Sequence, residues 1–193
     1  MTSSDRNNHG TPDRTRHPFS VPKQPRERHP NYHVRESRLA IGDDYVVERD
    51  SGGRLFVVDG RFLRIRESLT IKDTGGAEVF HIQGTLLDVN NVLTVSRQGA
   101  KVATVRRRKP EAGHEEYLVE LPGSEHVEVV GRPAEREYKL TFHGYVVASI
   151  AHMWMPMSSG FRVQIAPGQD DGVVLAVAVC LDVMSRHERE ASH

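Results

Sequence analysis

Apolar and polar residues alternate along most of the chain after Glu36, in short runs separated by turns rich in Gly, Asp or Pro. Runs of this kind predict β-strands whose alternate side chains face a core. Brief connections such as Gln98-Gly99 and His143-Gly144 are typical of antiparallel hairpins. The predicted strands are Tyr45–Glu48, Leu55–Val58, Ser68–Lys72, Ala77–Gln83, Val92–Arg97, Lys101–Arg107, Glu116–Leu121, His126–Val130, Glu137–His143, Val146–Met153 and Gly160–Ile165, with a further short strand at Leu39–Ile41.

The alternation also predicts which side chains face inward. A Gly-x-x-Val pattern recurs at Gly76, Gly99 and Gly144, which indicates either an internal duplication or hairpins that share one geometry. The predicted inward residues are Leu69, Ile71, Phe80, Ile82, Leu93, Val95, Ala103, Val105, Tyr117, Val119, Leu121, Tyr138, Leu140, Phe142, Phe161, Val163 and Ile165.

The segment Asp170–Arg186 follows a different pattern, because Val173–Leu181 are nine consecutive apolar residues. This run predicts a helix that is hydrophobic all round and is therefore surrounded by protein. A helix that crosses a bilayer needs roughly 20 apolar residues. Asp170 and Asp171 suit the start of the helix, since a carboxylate there caps free amides and opposes the positive end of the dipole.

The strands can provide the surroundings that this helix needs. A large antiparallel sheet tends to curl and close, because an open sheet leaves exposed edges. A closed barrel of about 12 strands is too wide for its own side chains to fill. We therefore predict a mainly β fold, a closed antiparallel β-barrel of about 12 strands that encloses a central hydrophobic C-terminal α-helix.

The N-terminal part of the chain has another composition. Residues 1–33 contain five of the ten prolines and few apolar residues, and such a segment buries too little surface to offset the entropy of ordering. We predict a disordered Pro/Arg-rich tail at 1–34, a barrel domain at 35–187 whose helix covers about 170–186, and a disordered C-terminus at 188–193.

Charge and targeting signals narrow the choice of partners and compartment. The chain has a formal net charge of +0, and neither its tail nor its domain is basic enough to make nucleic acid the default partner. The polar N-terminus has no secretory signal and no segment reads as transmembrane. The single cysteine, Cys180, excludes an internal disulfide and agrees with a reducing compartment. We expect a cytoplasmic protein that is either free in the cytoplasm or peripheral at a membrane.

Several stretches taken together resemble the LURP-one-related family, which is part of the Tubby C-terminal-like superfamily. They cover about Leu39 to Met184 and include both the hairpins and the terminal helix. The stretches read AIGDDYVVERDSGGRLFVVDGRFL, SLTIKDTGGAEVFHI, GAKVATVRRR, VVGRPAEREYKLTFHGYVVASI and APGQDDGVVLAVAVCLDVM.

The resemblance implies a barrel around a central C-terminal helix, the architecture already reached from the strand pattern. It also implies relatives that include tubby proteins, which bind phosphoinositides, and phospholipid scramblases, which act at membranes. The LURP-one-related branch itself carries no well-defined biochemical activity. Such proteins commonly have a basic and aromatic stretch after the late strand, whereas His152–Met157 reads HMWMPM. The chain therefore departs from the family pattern in that stretch.

The dense basic cluster of the domain is Arg106, Arg107, Arg108 and Lys109. At the end of a strand it could bind anionic headgroups or phosphate through charge-assisted hydrogen bonds. The competing interpretation is an ordinary solvated strand end, since alternation places Arg106 and Arg108 on one face and Arg107 on the other.

Other residues also have two interpretations. His152–Met157 reads as a loop that either covers the barrel mouth or contacts a partner or membrane. Asp182 interrupts the apolar helix. It is either an acid near the barrel mouth that is solvated or bonded to backbone or an arginine, or a perturbed acid that marks a site. Cys180 reads as a small core residue.

The histidines show no metal-ligand spacing, and no phosphate-binding glycine loop or nucleophile elbow occurs. We expect no enzyme, no cofactor and no metal. The leading hypothesis is a non-catalytic binding module whose outer surface binds anionic phospholipid or phosphoinositide. The alternatives are a protein-interaction scaffold and an enzyme whose site is assembled from distant strands.

Overall fold

A computed structural model describes residues 17–22, 30–37, 44–60, 67–85, 92–109, 114–132, 137–155 and 158–191. These residues form twelve strands and one helix. The elements are β1 (Asn31–Ser37), β2 (Asp44–Arg49), β3 (Arg54–Gly60), β4 (Glu67–Asp73), β5 (Glu78–Thr85), β6 (Val92–Arg97), β7 (Ala100–Arg107), β8 (Glu115–Glu120), β9 (His126–Arg132), β10 (Glu137–Phe142), β11 (Tyr145–Met155), β12 (Ser158–Ile165) and α1 (Asp171–Ala191).

The strands form one closed antiparallel barrel. Each strand pairs with the next along the chain, and β1 closes the ring by pairing with both β2 and β12. Closure satisfies the backbone groups that the edge strands of an open sheet would leave unpaired. The predicted barrel is confirmed, including its number of strands.

The core consists of the inner faces of the strands packed on α1. Every side chain that alternation predicted to face inward is buried. Burial alternates most clearly in two strands. Exposed and buried residues follow one another along the whole of β9 and along the first four residues of β10. The period of two therefore located the core correctly.

The helix α1 fills the barrel as predicted. From Val173 to Leu181 each residue is at most 1% exposed, so the barrel wall covers the helix on all sides. The helix ends at Ala191 rather than near Arg186, and it includes the first four residues of the C-terminal segment that we predicted to be disordered. These added residues, His-Glu-Arg-Glu-Ala from His187 on, include good helix formers.

The barrel starts earlier than predicted. The first strand is Asn31–Ser37, so the predicted domain boundary at residue 34 falls inside β1. The short strand predicted at Leu39–Ile41 lies outside the described residues. Tyr32 and Val34 are buried and alternate with polar residues that face outward. Two apolar residues are too few to distinguish this strand from the polar tail in the sequence. Within that tail, Phe19 is only 1% exposed.

The connections divide the barrel into two different ends. One, here called the turn end, has the tight turns after β2, β4, β6, β8 and β10, and the start of α1. The three Gly-x-x-Val hairpins there share a one-residue register shift. In two of them a residue and the following glycine both have positive φ, namely Gln98-Gly99 and His143-Gly144, as a tight hairpin turn requires.

The opposite end, here called the loop end, includes the final turns of α1 and the strand ends that lead into the remaining connections. Residues 38–43, 61–66, 86–91, 110–113, 133–136 and 156–157 join those strand ends and lie outside the described residues. The predicted loop His152–Met157 is mostly strand, since β11 ends at Met155 and β12 begins at Ser158. The predicted strand Val146–Met153 is confirmed, and it extends to Met155 because these residues continue the pairing with β12. The loop interpretation was therefore wrong for His152 to Met155.

Candidate functional site

The predicted cation cluster lies at the loop end, where β7 finishes. Arg106 is half-buried, and its Nε lies 3.4 Å from Glu120 Oε1 on the neighbouring strand β8. Arg108 and Lys109 follow the strand and are exposed. The backbone N–H of Arg108 still donates to the Glu116 carbonyl at 2.8 Å, so the chain is held against β8 at this point.

Arg107 has a different environment from its neighbours. The side chains of Ala103 and Val105 are buried, and Arg107 follows them on the inward face because side chains alternate along a strand. Its Nε atom is buried, and it pairs in register with Tyr117 of β8. The structure therefore divides the cluster as alternation predicted, with Arg106 and Arg108 on the outer side.

A second group of charges surrounds Asp182 near the loop end of α1. Asp182 is 6% exposed. Its Oδ2 accepts hydrogen bonds from Tyr45 Oη at 2.7 Å and from Arg186 Nη2 at 2.8 Å. The Arg186 guanidinium lies 5.1 Å from the centre of the Tyr45 ring, and His152 Nε2 lies 3.6 Å from Asp182 Oδ1.

This geometry agrees with the first of the two interpretations of Asp182. The carboxylate lies near the barrel mouth and is bonded to an arginine, as the first interpretation predicted. A buried carboxylate is tolerated when donors and a cation compensate for the water it has lost. Tyr45 and Arg186 supply both, so Asp182 fixes the middle of α1 against β2.

A neighbouring acid has a similar arrangement. Glu115 Oε2 accepts a hydrogen bond from Tyr138 Oη at 2.7 Å and a longer one from Tyr117 Oη at 3.3 Å. The Tyr138 ring lies 6.4 Å from the His152 ring. Tyr138 and His152 thus connect the two acids, and we call the residues Tyr45, Glu115, Tyr117, Tyr138, His152, Asp182 and Arg186 the loop-end polar cluster.

Sequence reasoning placed Tyr117 and Tyr138 on the inner face but did not assign them a polar role. Tyr45 was not singled out, and His152 was considered only as the first residue of the stretch His152–Met157. Their signal was a hydrogen-bonding side chain at an inward position close to a strand end, where a polar tip can reach past the apolar core. Their partner Asp182 is 137 residues from Tyr45, a distance over which no local pattern pairs residues.

The turn end has its own charged pair at the start of α1. Asp170 accepts hydrogen bonds from Arg97 Nη1 and Nη2, both at 2.8 Å, and its Oδ1 caps the Val173 N–H at 3.2 Å. Tyr32 donates to Asp171. Burial and this bond raise the pKa of Tyr32 to about 12.

The charged and polar side chains at both ends of the barrel are bonded to one another. Their arrangement gives little indication of a catalytic or metal-binding role. Among the described residues, no set of three His, Cys, Asp or Glu side chains is placed to hold a metal ion. Burial raises the pKa of the Cys180 thiol, so it stays protonated, as a core residue does. In the parts of the chain that the structure covers, no helix is long and apolar enough to cross a membrane.

The fold defines a class of protein, a closed antiparallel barrel filled by its own C-terminal helix. A family model described as LURP-one-related matches residues 31–182, from the first residue of β1 to the buried acid of α1. The chain belongs to the LURP-one-related family. The resemblance inferred from the sequence is thereby confirmed.

One solved structure supports the same architecture. The crystal structure of a protein from Arabidopsis thaliana aligns with a TM-score of 0.61 over 82% of this chain and 92% of its own chain, at 18% identity. At that identity the likeness concerns the fold and carries no function. No curated protein matches the chain.

Proposed function

We propose that this protein is a non-catalytic, cytoplasmic binding module that binds anionic phospholipid headgroups at the rim of its loop end. The carrying observation is the position of Arg108 and Lys109, which are exposed just beyond β7 while the backbone of Arg108 is held against β8. Exposed cations on a fixed backbone can contact phosphate without ordering the chain first.

The packing of the barrel supports binding outside rather than inside. The side chains of α1 from Val173 to Met184 are buried, so the helix occupies the space in which other large barrels hold a ligand. The loop-end polar cluster is engaged in its own hydrogen bonds. A ligand is therefore more readily bound by the rim and outer face than by the interior.

The four predicted residues do not contribute equally to this proposal. Arg106 is near Glu120, which offsets its charge, and Arg107 faces inward. Arg108 and Lys109 are thus the cations best placed for a headgroup. The sequence between β3 and β4, RFLRIR at residues 61–66, has three arginines and joins strands that end on the same side of the barrel.

Co-sedimentation with vesicles tests the proposal. Phosphatidylcholine vesicles with and without a phosphoinositide are compared for the natural chain, for Arg108→Glu/Lys109→Glu, and for a control pair, Arg54→Glu/Lys101→Glu. The control changes the net charge equally at exposed positions of the turn end. Each cation near an anionic surface contributes about 1 kcal/mol, so losing two weakens binding about 30-fold.

We expect the natural chain and the control pair to sediment with the phosphoinositide vesicles at low salt, and the Arg108/Lys109 variant to remain in solution. Binding should also weaken as salt rises, because exposed charges are screened. Equal sedimentation of the three proteins, or no sedimentation of the natural chain, would disprove the lipid function.

A further inference from the structure

Residues 17–22, here called the N-terminal segment, are held at the turn end by the connection between β12 and α1. The Ser20 N–H donates to Gln169 Oε1 at 2.9 Å, and Gln169 Nε2 donates back to the Ser20 carbonyl at 2.8 Å. The Asp170 N–H donates to the Pro18 carbonyl at 2.9 Å. These bonds engage backbone groups of the segment, as a neighbouring β-strand would.

Phe19 provides the apolar anchor of this contact. Its side chain is 1% exposed and belongs to the core cluster, and its ring lies 6.2 Å from that of Phe142. The His17 ring stacks on Phe142 as well, at 5.6 Å. Val21, two residues after Phe19, is 40% exposed. The segment thus has one buried aromatic ring, backbone groups that are hydrogen-bonded to the barrel, and an exposed side chain beside them. These are the features by which proteins recognise extended peptides.

The ring of paired strands closes without this segment. Its first strand begins at Asn31 and already pairs on both sides, and the family match also begins at residue 31. Residues 23–29 separate the segment from the barrel. The segment is thus attached to the barrel as a tethered ligand is, and a short tether gives it an effective concentration of the order of millimolar.

We propose that the turn end, at Phe142 and Gly168–Asp170, is a peptide-binding site, and that the N-terminal segment is its resident occupant. The external ligand is an extended segment of another protein in which a phenylalanine or similar aromatic residue precedes a residue whose backbone pairs with Gln169. Pro18 and Pro22 flank the resident sequence and favour the extended backbone that this pairing needs. Because the resident is tethered, it excludes weak competitors.

Cleavage of the tether in the folded chain tests the proposal. A site-specific protease sequence replaces residues 23–29 of the full chain, and a fluorescent peptide with the sequence of residues 16–23, RHPFSVPK, is titrated before and after cleavage. Anisotropy reports binding, and circular dichroism and gel filtration report folding and size. Two altered peptides, Phe19→Ala and Val21→Ala, form the matched pair.

We expect saturable binding after cleavage and at least about tenfold weaker binding before it. The Phe19→Ala peptide should bind at least about 100-fold more weakly than the parent, because it loses a buried aromatic side chain. The Val21→Ala peptide should match the parent. Gln169→Ala in the cleaved chain should weaken binding about tenfold, since two hydrogen bonds to the peptide backbone are lost.

Four results would overturn the inference. Equal binding before and after cleavage, or equal binding of the Phe19→Ala peptide, means that the peptide does not use this site. Unfolding of the cleaved chain once the segment has dissociated makes the segment an integral part of the fold. A dimer of the uncut chain that exchanges labelled subunits identifies a second copy as the occupant. The site lies at the opposite end from Arg108, so these outcomes are independent of lipid binding.

Discussion

Asp170 is predicted to make a large contribution to stability through two separate interactions. Its Oδ1 caps the Val173 N–H, and both carboxylate oxygens accept hydrogen bonds from the Arg97 guanidinium at 2.8 Å. The guanidinium also lies 4.6 Å from the centre of the Phe80 ring. Replacing Asp170 by alanine removes the cap and leaves the guanidinium without its carboxylate.

The exposure of the pair sets the size of the effect. An N-cap contributes about 1 kcal/mol. Removing one partner of an ion pair costs about 0–1 kcal/mol at the surface and about 3–5 kcal/mol in the interior. Both side chains are 29% exposed, so an intermediate cost of about 2 kcal/mol is reasonable. Asp170→Ala should therefore lower the free energy of unfolding by about 3 kcal/mol.

Asp170→Asn separates the two interactions, because asparagine keeps a capping oxygen but has no charge. It should cost about 2 kcal/mol. Urea unfolding followed by circular dichroism measures both variants, and a double-mutant cycle with Arg97→Ala isolates the pair. If Asn is as destabilising as Ala, or if the cycle gives a coupling energy near zero, the division into cap and ion pair is wrong.

Two further predictions concern buried groups that titrate. Cys180 is fully buried, so iodoacetamide should modify it in the native protein about a thousandfold more slowly than in urea; a native rate equal to that of a free thiol would contradict the packing of α1. The pKa of Tyr32 is raised to about 12 from 10.0, so the folded state holds its proton longer than the unfolded state. Its contribution to stability is full below pH 10 and falls as pH rises toward 12. Urea midpoints from pH 9 upward should fall less for Tyr32→Phe than for the natural chain, and parallel curves would contradict this.

The barrel could be predicted from the sequence because its physical basis is local and repeated. Each pair of alternating residues, such as Leu69 and Ile71, shows by itself which face is buried, and the all-apolar run of α1 needs a covering that only those strands provide. The same reasoning failed where one side chain outweighs the composition around it. Phe19 lies among prolines and polar residues, and the residue after it, Ser20, is held by Gln169, which is 149 positions away in sequence.

The candidate site was predicted only in part for a related reason. Alternation is a local property of the sequence, and along β7 it separated Arg107 from Arg106 and Arg108. The loop-end polar cluster depends on pairs such as Tyr45 and Asp182, which only the closed barrel brings together. The sequence marked Asp182 as unusual in an apolar helix, but no local pattern paired it with the tyrosine or the histidine that meets it.

The two acids that fix α1 also determine its register within the barrel. Asp170 binds Arg97 at the turn end, and Asp182 binds Tyr45 near the loop end. Asp182 is twelve positions after Asp170, which corresponds to about 18 Å of helix at 1.5 Å per residue. Inserting or deleting one residue between them would shift the later acid by about 1.5 Å and rotate it by about 100°, moving its carboxylate away from Tyr45 toward the apolar wall. The spacing of these two acids therefore constrains the length of the helix between them. Inserting or deleting a residue there should destabilise the protein more than substituting one of the residues between the acids.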